Sequence, residues 1–162
     1  MIPAVRTPDR PLLDRFDRDG FVVLPDALTP PEVAGLNAEA LRICRGERGA
    51  VDGLVAGDDR ESDEQVIRRY ACIHHPHKLS PLMRAALAHP RIVEVLTTVI
   101  GPNVKAMQSM LFTKGEGRPG QAWHQDEYFI PTRDRSLTAA WIALDDATVG
   151  NGHFVVDGTV VP

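Results

Sequence analysis

GRPGQAWHQDEYFIP at residues 117–131, followed by LTAAWIALDDATVGNG at 137–152, is the stretch on which the reading of this chain turns. At its centre lies an H-x-D triplet, His124 and Asp126. In a strand alternate side chains share a face, so the two would project together from one side of a sheet. The surroundings favour strands. GEGRPG (115–120) is a turn, AWHQDEYF (122–129) reads as a strand, IPTRDR (130–135) as a connection, and LTAAWIALDD (137–146) as a further long strand.

Working outward, VKAMQSMLFTK (104–114) alternates as well. It puts Gln108, Met110, Phe112 and Lys114 on one face and Met107, Ser109, Leu111 and Thr113 on the other. The part before it is helical in period. PLLDRFDR (11–18) is a short amphipathic helix ended by Gly20, and FVVLPD (21–26) then reads as a strand. Thr29 is a plausible N-cap for PPEVAGLNAEALRICRGE (30–47), in which Val33, Leu36, Ala40 and Cys44 recur on one face that should pack on a sheet. Residues 46–64 are rich in Gly and Asp and read as a long loop. Helices at 81–88 and 90–100 are separated by His89-Pro90 and stopped by Gly101-Pro102. Helices first and sheet later is an α+β order, and residues 1–162 read as a single, incomplete domain.

Composition narrows the partners. A net charge of -4 with no run of Lys and Arg offers nothing to hold a phosphate backbone, so nucleic acid is not expected. The N-terminus lacks the apolar core of a signal peptide, and the most apolar stretch, 92–100, is too short and too polar to span a bilayer. No membrane partner and a cytoplasmic location are expected. Cys44 and Cys72 have neither C-x-x-C spacing nor the count of a disulfide framework, and read as plain thiols.

An H-x-D triplet alone is weak, since a chain with 6 His and this many Asp yields one by chance in about every second case. On spacing alone, His124 and Asp126 are either metal ligands or a hydrogen-bonded pair on an edge strand. The first reading is the imidazole and carboxylate of a 2-His-1-carboxylate facial triad, the donor set of non-haem Fe(II) oxygenases, which leaves coordination positions open. His74, His75 and His77 crowd IHHPHK, but with Pro76 among them and no neighbouring carboxylate or Cys they read as loop histidines. His89 reads as a helix-end residue. Neither a Ser-His-Asp arrangement nor a Gly-rich phosphate loop is present.

FDRDGFVVLPDALTPPEVAGLN, MQSMLFTK, PGQAWHQDEYF and AAWIALDDATVGNG together resemble the phytanoyl-CoA dioxygenase family of Fe(II)- and 2-oxoglutarate-dependent oxygenases. The resemblance covers most of the chain. It implies N-terminal helices on a double-stranded β-helix, a jelly roll of the cupin kind. It also implies Fe(II) bound by His124 and Asp126, with 2-oxoglutarate as cosubstrate. O₂ and a small-molecule substrate hydroxylated at an aliphatic C–H complete the implied reaction. Met110 and Trp141 fall where family members line the 2-oxoglutarate pocket, Gln108 at a polar pocket position, and Arg69 near a position where a family lysine reaches the cosubstrate. Packing alone also accounts for Met110 and Trp141, and a solvated charge for Arg69.

After Asn151-Gly152 the family continues into strands carrying a second iron-binding His and an Arg for the far carboxylate of 2-oxoglutarate. This chain reads HFVVDGTVVP and ends, with His153 as its last histidine. His153 is not expected to substitute, because the distal ligand comes from the opposite side of the barrel. The expectation is a C-terminally truncated domain whose missing strands leave unpaired edges and impair activity. The alternative is a non-catalytic remnant or binding module that needs another chain to complete the barrel.

Overall fold

The computed structural model describes residues 10–51, 55, 58, 60–115, 117–156 and 159–161. The N-terminal reading of residues 1–9, and parts of the 46–64 loop and the 115–120 turn, lie outside them. Helix α1 runs Arg10–Asp19, and Gly20 ends it by taking φ +76°, a left-handed conformation that costs a glycine little. Helix α2, Pro30–Cys44, starts at Thr29, whose backbone N–H and hydroxyl both donate to the Glu32 carboxylate at 2.7 Å. Its inward face carries Leu36, Ile43 and Cys44, with Ala40 packed beside them.

Helix α3, Asp63–Arg68, is capped by the Ser62 hydroxyl. Strand β1, Cys72–His74, follows at once, then the single turn α4, Pro76–Leu79, and helices α5, Pro81–Leu87, and α6, Pro90–Val99. Strand β2, Met110–Phe112, pairs antiparallel with β1 in the register Cys72↔Phe112, Ile73↔Leu111, His74↔Met110. Ile73 and Leu111 point from this ladder into a core shared with Leu36, Ile43, Cys44, Val66, Tyr70 and Met83. The ladder thus shares a core with α2, whose main packing partners are the helices α3 and α5 rather than a broad sheet. Within the core, Tyr70 donates its hydroxyl to the Cys44 carbonyl at 2.8 Å, and burial pushes the Cys44 thiol up to about 11.

Beyond β2 come a single turn α7, Asp126–Phe129, and a hairpin of β3, Phe154–Val156, and β4, Thr159–Val161. The described residues thus form a mixed α and β structure with two separate two-stranded ladders. Three expected strands are corrected. FVVLPD forms no ladder and turns at Pro25-Asp26, where proline brings no N–H and Asp26 takes φ +51°. AWHQDEYF folds back into α7, because Tyr128 and Ile130 donate to the nearby carbonyls of Gln125 and Asp126 rather than across a sheet. LTAAWIALDD has no ladder partner among the described residues. VKAMQSMLFTK contributes only Met110–Phe112, although its alternation holds there: Leu111 is buried and Phe112 exposed. Among the described residues, no helix is long and apolar enough to cross a membrane.

Candidate metal centre

The segment that carries the H-x-D pair is anchored at both ends to the helical layer. Before it, the Arg118 guanidinium donates to the Arg68 carbonyl at 2.6 Å at the end of α3. Beyond it, the Asn37 side-chain amide on α2 donates to the Leu144 carbonyl at 2.7 Å, and Leu144 packs against the core. Asn151 closes the following turn, accepting from the Thr148 N–H at 2.6 Å and donating to the Asp146 carbonyl at 2.7 Å. Gly152 in that turn has φ +111°, a left-handed conformation that favours glycine, while the Lys114 side chain beside it is flexible enough to move from an added Cβ.

His124 sits just before α7 and Asp126 is its first residue. His124 Nε2 lies 3.1 Å from Asp126 Oδ1, and the side chains are 35% and 56% exposed, so the pair opens to solvent. On the other side of the ring, Nδ1 is 2.7 Å from the Ala122 carbonyl oxygen. That carbonyl accepts a hydrogen bond from Nδ1–H, which leaves Nε2 as the nitrogen that faces the carboxylate. The edge of the Phe129 ring stands against His124 at 6.1 Å between centroids. Trp123, Tyr128 and Phe129 are all well exposed around the pair.

The donor set fits a divalent cation. Two ligands about 2.1 Å from a six-coordinate ion and at right angles to each other lie about 3 Å apart, close to the 3.1 Å between Nε2 and Oδ1. With Nδ1 turned to the Ala122 carbonyl, Nε2 is the ring nitrogen on the side where a cation would sit. Among the described residues no group of three or more His, Cys, Asp and Glu gathers in one place, so a cation held here would meet two such side chains among them.

The other expected site residues are distributed. Gln108 and Met110 do share a face, with Gln108 Nε2 3.6 Å from Met110 Sδ, and Met110 lies opposite His74 in the ladder. Trp141 is about half exposed in the segment held by Asn37. Arg69 caps α3 and is turned to the preceding loop, pairing with the Glu61 carboxylate and donating to the Val55 carbonyl at 3.3 Å. The guanidinium holds the Glu61 carboxyl below its ordinary range. Of the crowded histidines, His77 Nδ1 is 2.6 Å from the Ser109 hydroxyl, and burial lowers its pKa. His75 takes φ +56° at the start of α4. His153, in the turn before β3, has an enclosed Nδ1 with no hydrogen-bond partner among the described residues.

Sequence reasoning passed over Glu127. Its carboxylate accepts from the Thr132 N–H at 2.5 Å, the Thr132 hydroxyl at 2.8 Å and the Leu137 N–H at 3.0 Å. The Thr132 N–H first, and these other donors after it, hold the Glu127 carboxyl below its ordinary range. A carboxylate closing a loop onto backbone donors has no periodic signature. Only its place next to Asp126 and before the turn-forming TRDRS could have drawn attention to it.

The family model described as Phytanoyl-CoA dioxygenase (PhyH) matches residues 16–156. The chain is 32% identical over 150 residues to an ectoine dioxygenase of Nocardia farcinica, an alignment covering 89% of this chain and 48% of that protein. It is 29% identical over 152 residues to the peroxisomal phytanoyl-CoA dioxygenase of Rattus norvegicus, covering 87% and 44%. The chain spans about half the length of the curated relatives it matches. No solved structure matches it. A match to the family model that takes in residues 16–156, nearly the whole chain, makes this protein a member of the phytanoyl-CoA dioxygenase family.

Proposed function

We propose that this chain carries the metal-binding pair of an Fe(II)- and 2-oxoglutarate-dependent dioxygenase that hydroxylates an aliphatic C–H of a small molecule. The observation behind the proposal is the approach of His124 Nε2 and Asp126 Oδ1 to 3.1 Å, with Nδ1 occupied by the Ala122 carbonyl. His124 and Asp126 would hold Fe(II), which when bound supplies the centre for O₂ activation coupled to oxidation of 2-oxoglutarate to succinate and CO₂. The chain's own part is orientation. Ala122 sets the imidazole tautomer, Phe129 limits rotation of the ring, and the exposed side of the pair leaves room for further ligands.

Gln108, Met110, Trp141 and Arg69 are proposed to line the cosubstrate. For Arg69 this requires exchange of its present partner, Glu61. We assign residues 1–162 to one domain and its ladders to part of a jelly roll. The fold family of the relatives supports that assignment.

One observation favours a second reading, in which the chain is a non-catalytic module or is completed by another polypeptide. The described residues supply two ligands rather than three, and Trp123, Tyr128 and Phe129 stand exposed beside them. One experiment separates the two. The purified chain is supplied anaerobically with Fe(II) and 2-oxoglutarate, O₂ is admitted, and succinate is measured. Iron-dependent succinate that disappears in His124→Ala supports the dioxygenase and removes the purely non-catalytic reading. Succinate formation that survives His124→Ala removes the assignment of the pair.

A further inference from the structure

Asp126 occupies the first position of a helix of only four residues, too short to hold its own geometry. Its side chain nevertheless stands at ligand distance from His124. The next residue shows how the turn is held. Glu127 is half-buried, and both of its carboxylate oxygens are engaged: one takes the Thr132 N–H and hydroxyl, the other the Leu137 N–H ten residues along the chain. The Thr132 oxygen in turn accepts from the Ser136 N–H at 2.9 Å. The loop from α7 to Leu137 is thus gathered on one carboxylate. It leads directly into the segment that bears Trp141 and is fastened to α2 through Asn37.

We propose that Glu127 is the positioning residue of the His124–Asp126 pair. By fixing α7 against Thr132 and Leu137 it sets the distance and angle at which Asp126 meets His124, and so tunes divalent metal binding without touching the metal. A carboxylate suits the role better than an amide. Three donors converge on it, and a Gln would turn an NH₂ group toward one of them. The inference rests on the reading of His124 and Asp126 as metal ligands, and the test distinguishes failure of either.

The full chain is titrated with Co(II), followed by the NMR signals of the His124 ring protons and by the visible absorption of bound Co(II). In the wild type, the His124 signals move saturably, and Asp126→Ala abolishes the response. Glu127→Gln raises the Co(II) midpoint about tenfold and alters the absorption bands, the scale expected when a group that orients a ligand is changed. Thr132→Val, which removes only the hydroxyl, shifts the midpoint in the same direction by less. Thermal melts of all variants run alongside. Glu127→Gln that melts earlier yet binds Co(II) with the wild-type midpoint and spectrum overturns the positioning role and leaves the metal reading standing. If Glu127→Gln does not fold, Thr132→Val decides, and a wild-type midpoint there overturns the proposal. A wild type in which Co(II) leaves the His124 signals unmoved overturns both.

Discussion

Among the residues whose side chains are described, every buried one lies between Leu36 and Leu111, and none falls in 117–156. The two regions are assembled by different forces. The first is a core: Ile43, Val66, Tyr70 and Ile73 are each at most 1% exposed, and removing such side chains from water is worth roughly 1.5–3 kcal/mol apiece. The second is held by polar side chains reaching backbone groups: Glu127 to Thr132 and Leu137, Asn151 to Thr148 and Asp146, Asn37 to Leu144. Bonds of this kind contribute about 1 kcal/mol each. The candidate chemistry lies in the region with no core of its own, so its geometry depends on a few named hydrogen bonds and on the helical layer it is tied to.

The contrast is broken or sharpened most strongly at Ile43. Ile43→Ala opens a cavity under α2 and should destabilise the chain by about 2–5 kcal/mol in denaturant unfolding. A loss below about 1 kcal/mol would mean that the core is not where the burial pattern puts it.

The next effect belongs to Glu39, a carboxylate 3% exposed inside the same layer. Arg48 grips it with two hydrogen bonds, at 2.7 and 2.9 Å, and Arg42 adds a third at 3.3 Å. Arg48 foremost, against the cost of burial, holds the Glu39 carboxyl at about 2, below its ordinary value of 4.5. A depressed carboxyl favours the folded state wherever it is ionised. Its contribution is complete above about pH 4.5 and is lost as the pH falls toward about 2. Glu39→Gln should cost about 2 kcal/mol at neutral pH and flatten the acid limb of the stability profile over that window. An unchanged limb would assign acid unfolding to other carboxylates.

Smaller still is Asn37→Ala, which cuts the tie between α2 and Leu144. About 1 kcal/mol is expected, with faster amide exchange over residues 137–146 while the 36–111 core keeps its protection. The smallest is Trp123→Ala. At 72% exposed, this large ring should be worth under about 0.5 kcal/mol to stability. A loss of 2 kcal/mol would show that 117–156 has a hydrophobic core after all.

The longer helices were legible because their signals are local: Thr29 before Pro30, Gly20 and Gly101 after the last turns, and a Val33–Leu36–Ala40–Cys44 stripe whose last three members face the core. The short α3 and α4, by contrast, fell in or beside stretches read as loops. The strands were not. Alternation along VKAMQSMLFTK reports a buried face at Leu111, but pairing depends on a partner, and that partner is the three-residue strand Cys72–His74, too short to carry a pattern. The reading of IHHPHK as a loop passed over it. His124 and Asp126 were legible as residue types, while their backbone setting was not. The pair keeps its i, i+2 approach because Gln125 between them stays extended at φ -114°, ψ 122°, while local hydrogen bonds from Tyr128 and Ile130 turn the chain after it into α7. Glu127 escaped because its partners lie five and ten residues downstream, where no period points.

The single bond from Asn37 to Leu144 closes 107 residues of chain. Loop closure costs about (3/2)RT ln n, so this contact is roughly 1 kcal/mol dearer in chain entropy than the β1–β2 ladder, which joins His74 to Met110. That difference favours an order of folding in which the helices and their ladder collapse first and the stretch that carries His124 and Asp126 docks onto them afterwards, an expectation that pulsed hydrogen exchange on residues 137–146 would check. Synthesis favours the same order, because α2 is made about a hundred residues before Leu144.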